Sequence, residues 1–405
     1  MKHTFLHFYL FIALSLVFLE ANNEQDGLAY LNNIRVHAGL IKLQINKALQ
    51  GAATSHAKYL IENQINGHYE KKGKYSYTGT TPSERVIEAG YPSSYVMENI
   101  SVNTVGQEKS IDNLFSAIYH RFVFLNLDKD EIGFGFAWTK KKRKIKHAYI
   151  YNIGSSSVSK LCKKSFTMTN GVYYMKNICK RSTKMVPRSL FEEKKDEIRQ
   201  KNRDIILYPY NEQTNVWPAF YNESPAPLPG YKVSGFPVSV QLNPLYYKNA
   251  KLKSFRLYDA QGKEIKETKI LQHNNDHNHL LTKLEFALMP LKRLEFDTIY
   301  TAVFEAFTDE NKVKKSWSFR TVNPEEKIYR VSKSQTRLTV QAGSKALLYM
   351  VPDSEKDILY SYRSRGGIKA SFLDQNTLKV TFPKRRSSGR VSIDFGKKKI
   401  LFDIQ

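Results

Sequence analysis

The chain has 405 residues, 41% of them hydrophobic and 25% charged, and a formal net charge of +25. This length is enough for roughly two to four domains with real hydrophobic cores, and the composition excludes an intrinsically disordered chain. No internal repeat stands out.

The N-terminus, residues 1–21, is typical of a secretory signal peptide. Lys2 precedes an almost wholly apolar run over residues 4–19, and residues 19–21 form a loose cleavage site. The run is short for a membrane-spanning helix, although an uncleaved N-terminal anchor is the alternative. We therefore expect an exported protein, periplasmic or extracellular, with no stable membrane span after cleavage of the signal.

The positive charge predicts an anionic partner. In an intracellular protein it would suggest nucleic acid, but export favours an envelope or cell-surface polymer or lipid headgroups instead, with no nucleic-acid partner. The run KKKRK at 140–144 resembles a localisation signal. Because two predicted strands flank it, we interpret it as a solvated hairpin tip.

Helices come first in the chain. Apolar spacing predicts one helix ending at Gly39 and a second one reaching residue 65, with His56 on its apolar face. A histidine in that position is expected to be buried and hydrogen-bonded. A short helix is expected near residue 85, and a long one over 107–125.

Strands follow the helices. Residues 131–138 and 146–155 have strand character, and helices followed by strands indicate an α+β domain over 23–157. A charged connector spans 158–204. Alternating patterns with turn signals then predict an immunoglobulin-like β-sandwich over 205–323 and a small C-terminal β-domain over 327–405.

The two cysteines, Cys162 and Cys179, both lie in the connector. Export makes a disulfide between them the expected state, and free thiols are the alternative. The closed loop would stabilise the fold by roughly 3 kcal/mol in the chain-entropy model. Two cysteines at this separation do not match a zinc knuckle.

Common catalytic motifs are absent from the sequence. It has no P-loop, no dinucleotide-binding glycine motif, no G-x-S-x-G and no H-E-x-x-H. The segment HNNDHNH offers His273, Asp276, His277 and His279 as metal ligands, but its Asn and Asp residues are typical of a polar loop. We expect such a loop between two strands.

Three residues of the N-terminal domain form a better pattern: His68 after the second helix, Glu98 before Asn99, and His120 before Arg121. With "AATSHAKYLIENQINGH", "TGTTPSERVIEAGY", "ENIS" and "EIGFGFA", they resemble the bacterial branch of the CAP superfamily. That superfamily includes cysteine-rich secretory proteins, antigen 5 and pathogenesis-related proteins. The resemblance covers roughly residues 27–157 and implies an α-β-α sandwich.

The resemblance also implies a cleft lined by two histidines and two glutamates. His68 and His120 match the histidines, and Glu98 matches one glutamate, although Met97 replaces the glycine before it. The place of the second glutamate corresponds to Ala117. Glu84 or Glu88 could substitute for it only from another element.

These residues leave two functions open. The preferred one is a non-catalytic binding or interaction module, with the cleft for a ligand and the β-domains for envelope or surface attachment. The alternative is a metal-dependent hydrolase of peptide or cell-wall bonds, with zinc at His68 and His120 and Glu98 as the base. No cofactor is required by the first, and zinc is the candidate for the second.

Overall fold

The computed structural model of the protein describes residues 26–309, 311–384 and 390–405. The predicted signal peptide, residues 1–21, lies outside the described residues. The helices of the described part are α1 (26–38), α2 (Lys47–Asn63), α3 (Pro82–Glu88), α4 (Gln107–Ser116), α5 (Ile118–Phe124), α6 (Ser156–Lys163) and α7 (Arg188–Arg199). None of them is long and apolar enough to cross a membrane.

Local capping sets the start of the two helices that flank the candidate cleft. The side chain of Asn46 accepts hydrogen bonds from the backbone N–H groups of Ala48 and Leu49 at the start of α2. At α3, the Thr81 side chain accepts from the Glu84 N–H, and Glu84 accepts in return from the Thr80 N–H. This reciprocal capping fixes the loop that enters α3.

The N-terminal domain is built on one four-stranded sheet. Its strands are β1 (Gln44–Ile45), β2 (Met97–Val102), β3 (Glu131–Trp138) and β4 (His147–Gly154), in the order β1-β3-β4-β2. β1 is parallel to β3, and the other pairs are antiparallel. The loop between β3 and β4 holds KKKRK, as the sequence predicted.

Helices cover both faces of this sheet. α2 packs so closely on β3 that a Cβ added at Gly133 or Gly135 would lie 2.1 Å from the backbone of α2. On the opposite face, Phe134 and Tyr151 pack in one hydrophobic core with Leu31 of α1 and other apolar residues of α4 and α5. The alternation along each strand therefore produces the three-layer α-β-α sandwich that the resemblance implied, and this prediction is confirmed.

The predicted helix over 107–125 is interrupted. Ala117 is extended (φ −85°, ψ 115°) and separates α4 from α5. The break leaves the first N–H groups of α5 without intrahelical acceptors. The Tyr119 N–H donates instead to the Glu223 carboxylate, 3.3 Å away, in the following domain. A distant partner thus supports a break that the local pattern did not indicate.

The connector contains α6, α7 and a small ribbon of β5 (Tyr174–Met175) and β6 (Val186–Pro187). Cys162 and Cys179 form a disulfide with a Cα–Cα distance of 5.3 Å, which confirms that prediction. A small apolar core surrounds the disulfide, formed by Val158, Leu161, Ile178, Val186 and Phe191.

The next segment forms two packed sheets with a short ribbon, and its strand pairs are antiparallel except for β8, which runs parallel to β16. One sheet has the order β13-β14-β11-β7 and the other β12-β15-β16-β8, while β9 pairs with β10. The bounds are β7 (Ile205–Tyr208), β8 (Gln213–Val216), β9 (Ala219–Phe220), β10 (Ser234–Gly235), β11 (Val238–Leu242), β12 (Ala250–Tyr258), β13 (Thr268–Gln272), β14 (Glu285–Pro290), β15 (Ile299–Thr308) and β16 (Lys312–Thr321).

The C-terminal segment forms a second pair of four-stranded sheets around its own core. The sheet orders are β17-β19-β22-β21 and β18-β24-β23-β20. The bounds are β17 (Lys327–Val331), β18 (Gln335–Val340), β19 (Lys345–Met350), β20 (Arg363–Arg365), β21 (Lys369–Asp374), β22 (Thr377–Thr381), β23 (Val391–Phe395) and β24 (Lys398–Ile404). An α/β domain followed by two β-sandwich-like units confirms the predicted fold class.

The N-terminal domain and the first sandwich share a continuous core. The rings of Phe115 and Tyr208 stack with centroids 4.8 Å apart across the boundary. Arg121 is fully buried there and donates to the Ser239 hydroxyl at 3.0 Å. The guanidinium of Arg121 also lies over the rings of Tyr208 and Phe236. The candidate cleft of the first domain therefore has a second domain as one of its neighbours.

Candidate functional site

His68 and Glu98 are brought together by the loop that follows α2. The helix ends at Asn63, and Gln64 adopts a left-handed conformation (φ 57°) that turns the chain back over the sheet. His68 Nδ1 then lies 3.0 Å from Glu98 Oε1 on β2. The Glu98 side chain is 1% exposed and the His68 side chain 40% exposed, so only the histidine faces solvent.

Arg85 of α3 holds the buried carboxylate from the other side. Its Nη2 donates to Oε2 and Oε1 of Glu98 at 2.7 and 2.8 Å, and its Nη1 donates to the His68 carbonyl at 2.9 Å. One guanidinium thus fixes both the strand and the loop of the site. With its amide nitrogen turned toward the site, Asn152 would donate a further hydrogen bond of 3.0 Å to Glu98 Oε2.

The charge state of Glu98 follows from these contacts. Burial by itself would raise its pKa, because it removes the carboxylate from water. The hydrogen bond with His68 and the charge of Arg85 outweigh burial and hold the pKa of Glu98 below its ordinary value of 4.5. Glu98 is therefore a carboxylate at neutral pH, and we assign the Nδ1 proton of His68 as the hydrogen-bond donor.

A second acid–histidine pair lies directly behind the first. His56 Nδ1 is 2.8 Å from Glu70 Oε1, and His56 Nε2 is 3.1 Å from the Gly67 carbonyl. Both ring nitrogens of His56 therefore face oxygen atoms. Glu70 Oε2 also accepts from the Thr78 N–H at 2.7 Å. The predicted buried, hydrogen-bonded role of His56 is borne out, and the pair braces the loop that carries His68.

His120 lies on α5, but its ring points toward the next domain. His120 Nδ1 is 2.6 Å from Oε2 of Glu223, a carboxylate that is 3% exposed. His120 is linked to β2, the strand that carries Glu98, through its backbone carbonyl, which accepts a hydrogen bond of 2.9 Å from the Asn99 side chain. The structure thus joins His68 to Glu98 and gives His120 a separate partner.

Neither glutamate suggested as a substitute for Ala117 joins these groups. Glu84 caps α3 and is exposed, and Glu88 is exposed at the end of the same helix. Glu223, the carboxylate paired with His120, lies in the proline-rich segment YNESPAPLPGY of the first β-sandwich. A partner more than one hundred residues away has no local sequence signal.

Glu70 has a local sequence signal as a partner, and Arg85 has none. Arg85 follows Ser83 and Glu84 in a seven-residue helix, and Glu70 lies two residues after His68. Charged residues beside a candidate histidine are natural hydrogen-bond partners. Their complete burial, however, depends on the packing of the loop over α2.

The described ranges contain no group of three or more His, Cys, Asp and Glu side chains placed to hold a metal ion. His68 and His120 contact different carboxylates, and both oxygens of Glu98 already accept from Arg85. This donor set does not fit a zinc ion as arranged, and zinc at His68 and His120 stays a prediction.

The histidine-rich segment at 273–279 forms a polar loop between β13 and β14. Its buried Asp276 accepts from the Tyr119 hydroxyl at 2.5 Å and from the backbone N–H groups of Leu280 and Leu281. His273 Nδ1 lies 2.8 Å from the Leu281 carbonyl. The loop therefore docks against α5 of the N-terminal domain, close to the contact between His120 and Glu223.

A family model supports the assignment that the cleft residues suggested. Residues 28–152 match the model described as the cysteine-rich secretory protein family, CAP. This part of the chain is a CAP domain. The match begins and ends close to the limits of the resemblance read from the sequence, and it contains His68, Glu98 and His120 but not Glu223.

Several solved structures are similar to parts of this chain. An outer surface protein from Borrelia burgdorferi is 19% identical with a TM-score of 0.29, over 33% of this chain and 92% of that one. An extracellular SCP-domain protein from Bacillus anthracis is 20% identical with a TM-score of 0.28, over 33% and 40%. Tandem immunoglobulin domains of titin are 12% identical with a TM-score of 0.19, over 50% and 96%. A search of curated proteins found no match.

Proposed function

We propose that the protein is an exported, non-catalytic binding module, in which the CAP domain provides a ligand cleft at His68 and the β-sandwiches support attachment to an anionic envelope or cell surface. The observation that carries the proposal is the pairing of the cleft groups. Glu98 is held on both oxygens by Arg85, and His120 is held by Glu223. Because His68 and His120 are held by different carboxylates, they are not gathered at one reacting centre or one metal ion, and a binding surface at His68 is the role that this arrangement supports best.

His68 is the group that presents chemistry to a ligand. Its Nδ1 is engaged by Glu98 and its side chain is 40% exposed, so Nε2 is the ring nitrogen left for a ligand. A half-exposed imidazole on a loop fixed by Arg85 is suited to hydrogen-bond a polar ligand. This geometry supports a role for His68 in recognition.

The hydrolase alternative requires His68, Glu98 and His120 to act on one reacting centre. A general base needs a free lone pair directed at its proton donor, whereas Glu98 accepts from Arg85 and His68 on a buried strand. His120 also lies against another domain. No contact among the described residues favours this alternative over binding.

The net charge supports an anionic partner. A charge of +25 on an exported chain attracts polyanionic surfaces over distances that shrink as salt increases. We expect the exported protein to sediment with envelope fractions at low salt and to be released at high salt. Failure to associate at any salt concentration would contradict the attachment part of the proposal.

The cleft is tested by native mass spectrometry of the exported protein, with His68→Ala compared with His277→Ala. His277 is an exposed histidine in the polar loop and serves as the matched control. We expect a co-purified small molecule to be retained by the wild type and by His277→Ala and to be lost from His68→Ala.

Zinc titration separates the two functions. We expect that His68→Ala and His120→Ala bind as many zinc ions per protein molecule as the wild type. Zinc binding that both substitutions abolish, together with cell-wall or peptide hydrolysis that depends on the same residues and on Glu98, would replace the binding module by the hydrolase.

A further inference from the structure

The loop closed by the disulfide has an unusual composition. Residues 132–191 contain no Asp or Glu and fourteen Lys or Arg. Cys162 and Cys179 close the segment 163–178, here called the disulfide loop, and its chain reverses at Asn170 and Gly171 (φ 78°). The disulfide loop itself holds three of these cations, Lys163, Lys164 and Lys176, and no carboxylate.

The tip of the disulfide loop exposes apolar side chains. Tyr173 is 82% exposed, Met168 58% and Val172 41%. Single exposed apolar residues are ordinary, but three of them within six positions form a local apolar surface. The exposed lysines of the same loop are Lys163, Lys164 and Lys176. An apolar tip therefore projects between positive charges.

The base of the disulfide loop is fixed to the CAP domain. Ser93 forms a β-bridge with Cys179, and its hydroxyl donates to the Ile178 carbonyl at 2.8 Å. The Lys180 N–H donates to the Pro92 carbonyl at 2.8 Å. Because the base is packed and hydrogen-bonded, the apolar tip is presented outward by a supported ribbon.

Acidic side chains resume only in α7, and they have partners within that helix. Lys195 lies 3.0 Å from Glu192, and Arg199 lies 3.0 Å from Asp196. Glu197 is likewise in contact with Lys194. These carboxylates are thus paired within α7, and the disulfide loop itself contains no Asp or Glu.

We propose that the disulfide loop binds an anionic lipid bilayer, with Met168, Val172 and Tyr173 entering the interface and the neighbouring lysines contacting lipid phosphates. The inference rests on the proposed function, because it names the place and the partner of the surface attachment. Charge alone would serve an anionic polymer equally well. The apolar tip favours lipid, since aromatic and aliphatic side chains gain from entering the headgroup–acyl boundary while lysines stay at the phosphates.

Vesicle sedimentation tests the site with the full exported chain. Wild type is expected to bind vesicles of phosphatidylcholine with phosphatidylglycerol and not vesicles of phosphatidylcholine alone. The double variant Val172→Ser, Tyr173→Ser is expected to weaken binding on the order of tenfold, because it removes apolar area from the interface. Tyr75→Ser, at a tyrosine that is 73% exposed elsewhere in the CAP domain, should leave binding unchanged.

The contribution of the lysines is tested with two matched triple variants. Changing Lys163, Lys164 and Lys176 to Gln is expected to cost about fivefold in vesicle affinity per lysine at low salt. Changing Lys251, Lys266 and Lys333 to Gln removes the same charge from exposed positions of the two β-sandwiches and should cost much less. Equal losses in the two triple variants would overturn the assignment to the disulfide loop.

Tyr173→Trp reports insertion directly. Its fluorescence should shift to shorter wavelength with anionic vesicles and stay unshifted with the soluble polyanion polyphosphate. No shift with vesicles, or vesicle binding that survives Val172→Ser, Tyr173→Ser, overturns the inference. If the chain then still binds polyphosphate, surface attachment as proposed above survives without the lipid site. If the chain binds neither vesicles nor polyphosphate, both the lipid site and the proposed surface attachment fail.

Discussion

At the scale of single residues, the cleft is organised by a buried arginine. Arg85 is 1% exposed and connects the carboxylate of Glu98 with the backbone of the His68 loop. A buried ion pair of this kind is costly to break, because the remaining partner keeps its charge without compensation. We therefore expect Glu98 to stabilise the fold whether or not a ligand is bound.

Replacement of Glu98 should be strongly destabilising. We expect Glu98→Gln to lower the free energy of unfolding by about 3 kcal/mol, because buried Arg85 then keeps only the more distant Glu70 carboxylate, 3.8 Å from its Nε. Glu88→Gln removes the same charge at an exposed position of α3 and should change it by less than about 0.5 kcal/mol. Urea unfolding at neutral pH measures both, and similar values for the two variants would contradict the role given to Arg85.

The same pair predicts a pH dependence. Since the pKa of Glu98 is lower in the folded protein, its contribution is complete above the unfolded-state pKa of about 4.3 and is lost as pH falls through the folded-state value. The stability difference between wild type and Glu98→Gln should therefore shrink on acidification below about pH 5. Urea unfolding as a function of pH checks this, and a difference that grows toward acid would have the wrong sign.

At the scale of elements, the site depends on how closely α2 lies on β3. The glycines of "EIGFGFAW" are needed because the backbone of α2 occupies the space of a side chain at Gly133 and Gly135. This contact places His56, near the middle of α2, behind the loop that carries His68. The sheet, the helix and the loop are thus set at fixed distances from one another.

Two glycine substitutions should have opposite effects. Gly133→Ala places a Cβ 2.1 Å from the backbone at Leu49 and Gln50, so we expect a loss of several kcal/mol, on the order of 3. Gly51→Ala, at an exposed position of α2 with no atom within 4 Å of the added Cβ, should stabilise by about 1 kcal/mol. Thermal or urea unfolding gives both signs, and a neutral Gly133→Ala would show that α2 can move away from β3.

The disulfide supports the connector as an element. Changing Cys162 and Cys179 together to Ser should cost roughly 3 kcal/mol in the chain-entropy model. The loss should appear first as faster hydrogen exchange in residues 163–187, because the small apolar core there is separate from the main core. Unchanged exchange in this segment would mean that packing alone holds the ribbon.

At the scale of the whole molecule, the CAP domain and the first sandwich are joined by polar contacts as well as by a shared core. His120 is paired with Glu223, and the Tyr119 hydroxyl donates to Asp276. Both partners on the sandwich side lie in loops between its strands. The second sandwich is tied in turn through Arg293, which contacts Asp374 at 2.8 Å. Side-chain contacts therefore connect the CAP domain to the first sandwich and the first sandwich to the second.

A double-mutant cycle on His120→Asn and Glu223→Gln should show a coupling energy of about 1–3 kcal/mol, as expected for residues in direct contact. Each single variant should also raise the hydrogen exchange of α5. Glu325→Gln, at an exposed glutamate between the two sandwiches, combined with His120→Asn should show no coupling. Additive effects of His120 and Glu223 would contradict the interdomain pair.

The sequence by itself indicated an α+β part followed by β-rich segments, the main helices and the strands β3 and β4 of the first domain, and the disulfide, while the grouping of His68 with Glu98 came from the resemblance to a known family. Local periodicity carries the helices and strands, the cysteine count and the expected export carry the disulfide, and short motifs carry the resemblance. Only the tertiary structure decided the break at Ala117, the buried bridge from Arg85 and the commitment of His120 to Glu223. Those features depend on carboxylates and rings from segments far apart in the chain, and the free energy of burying a charge is set by what surrounds it in space rather than in sequence.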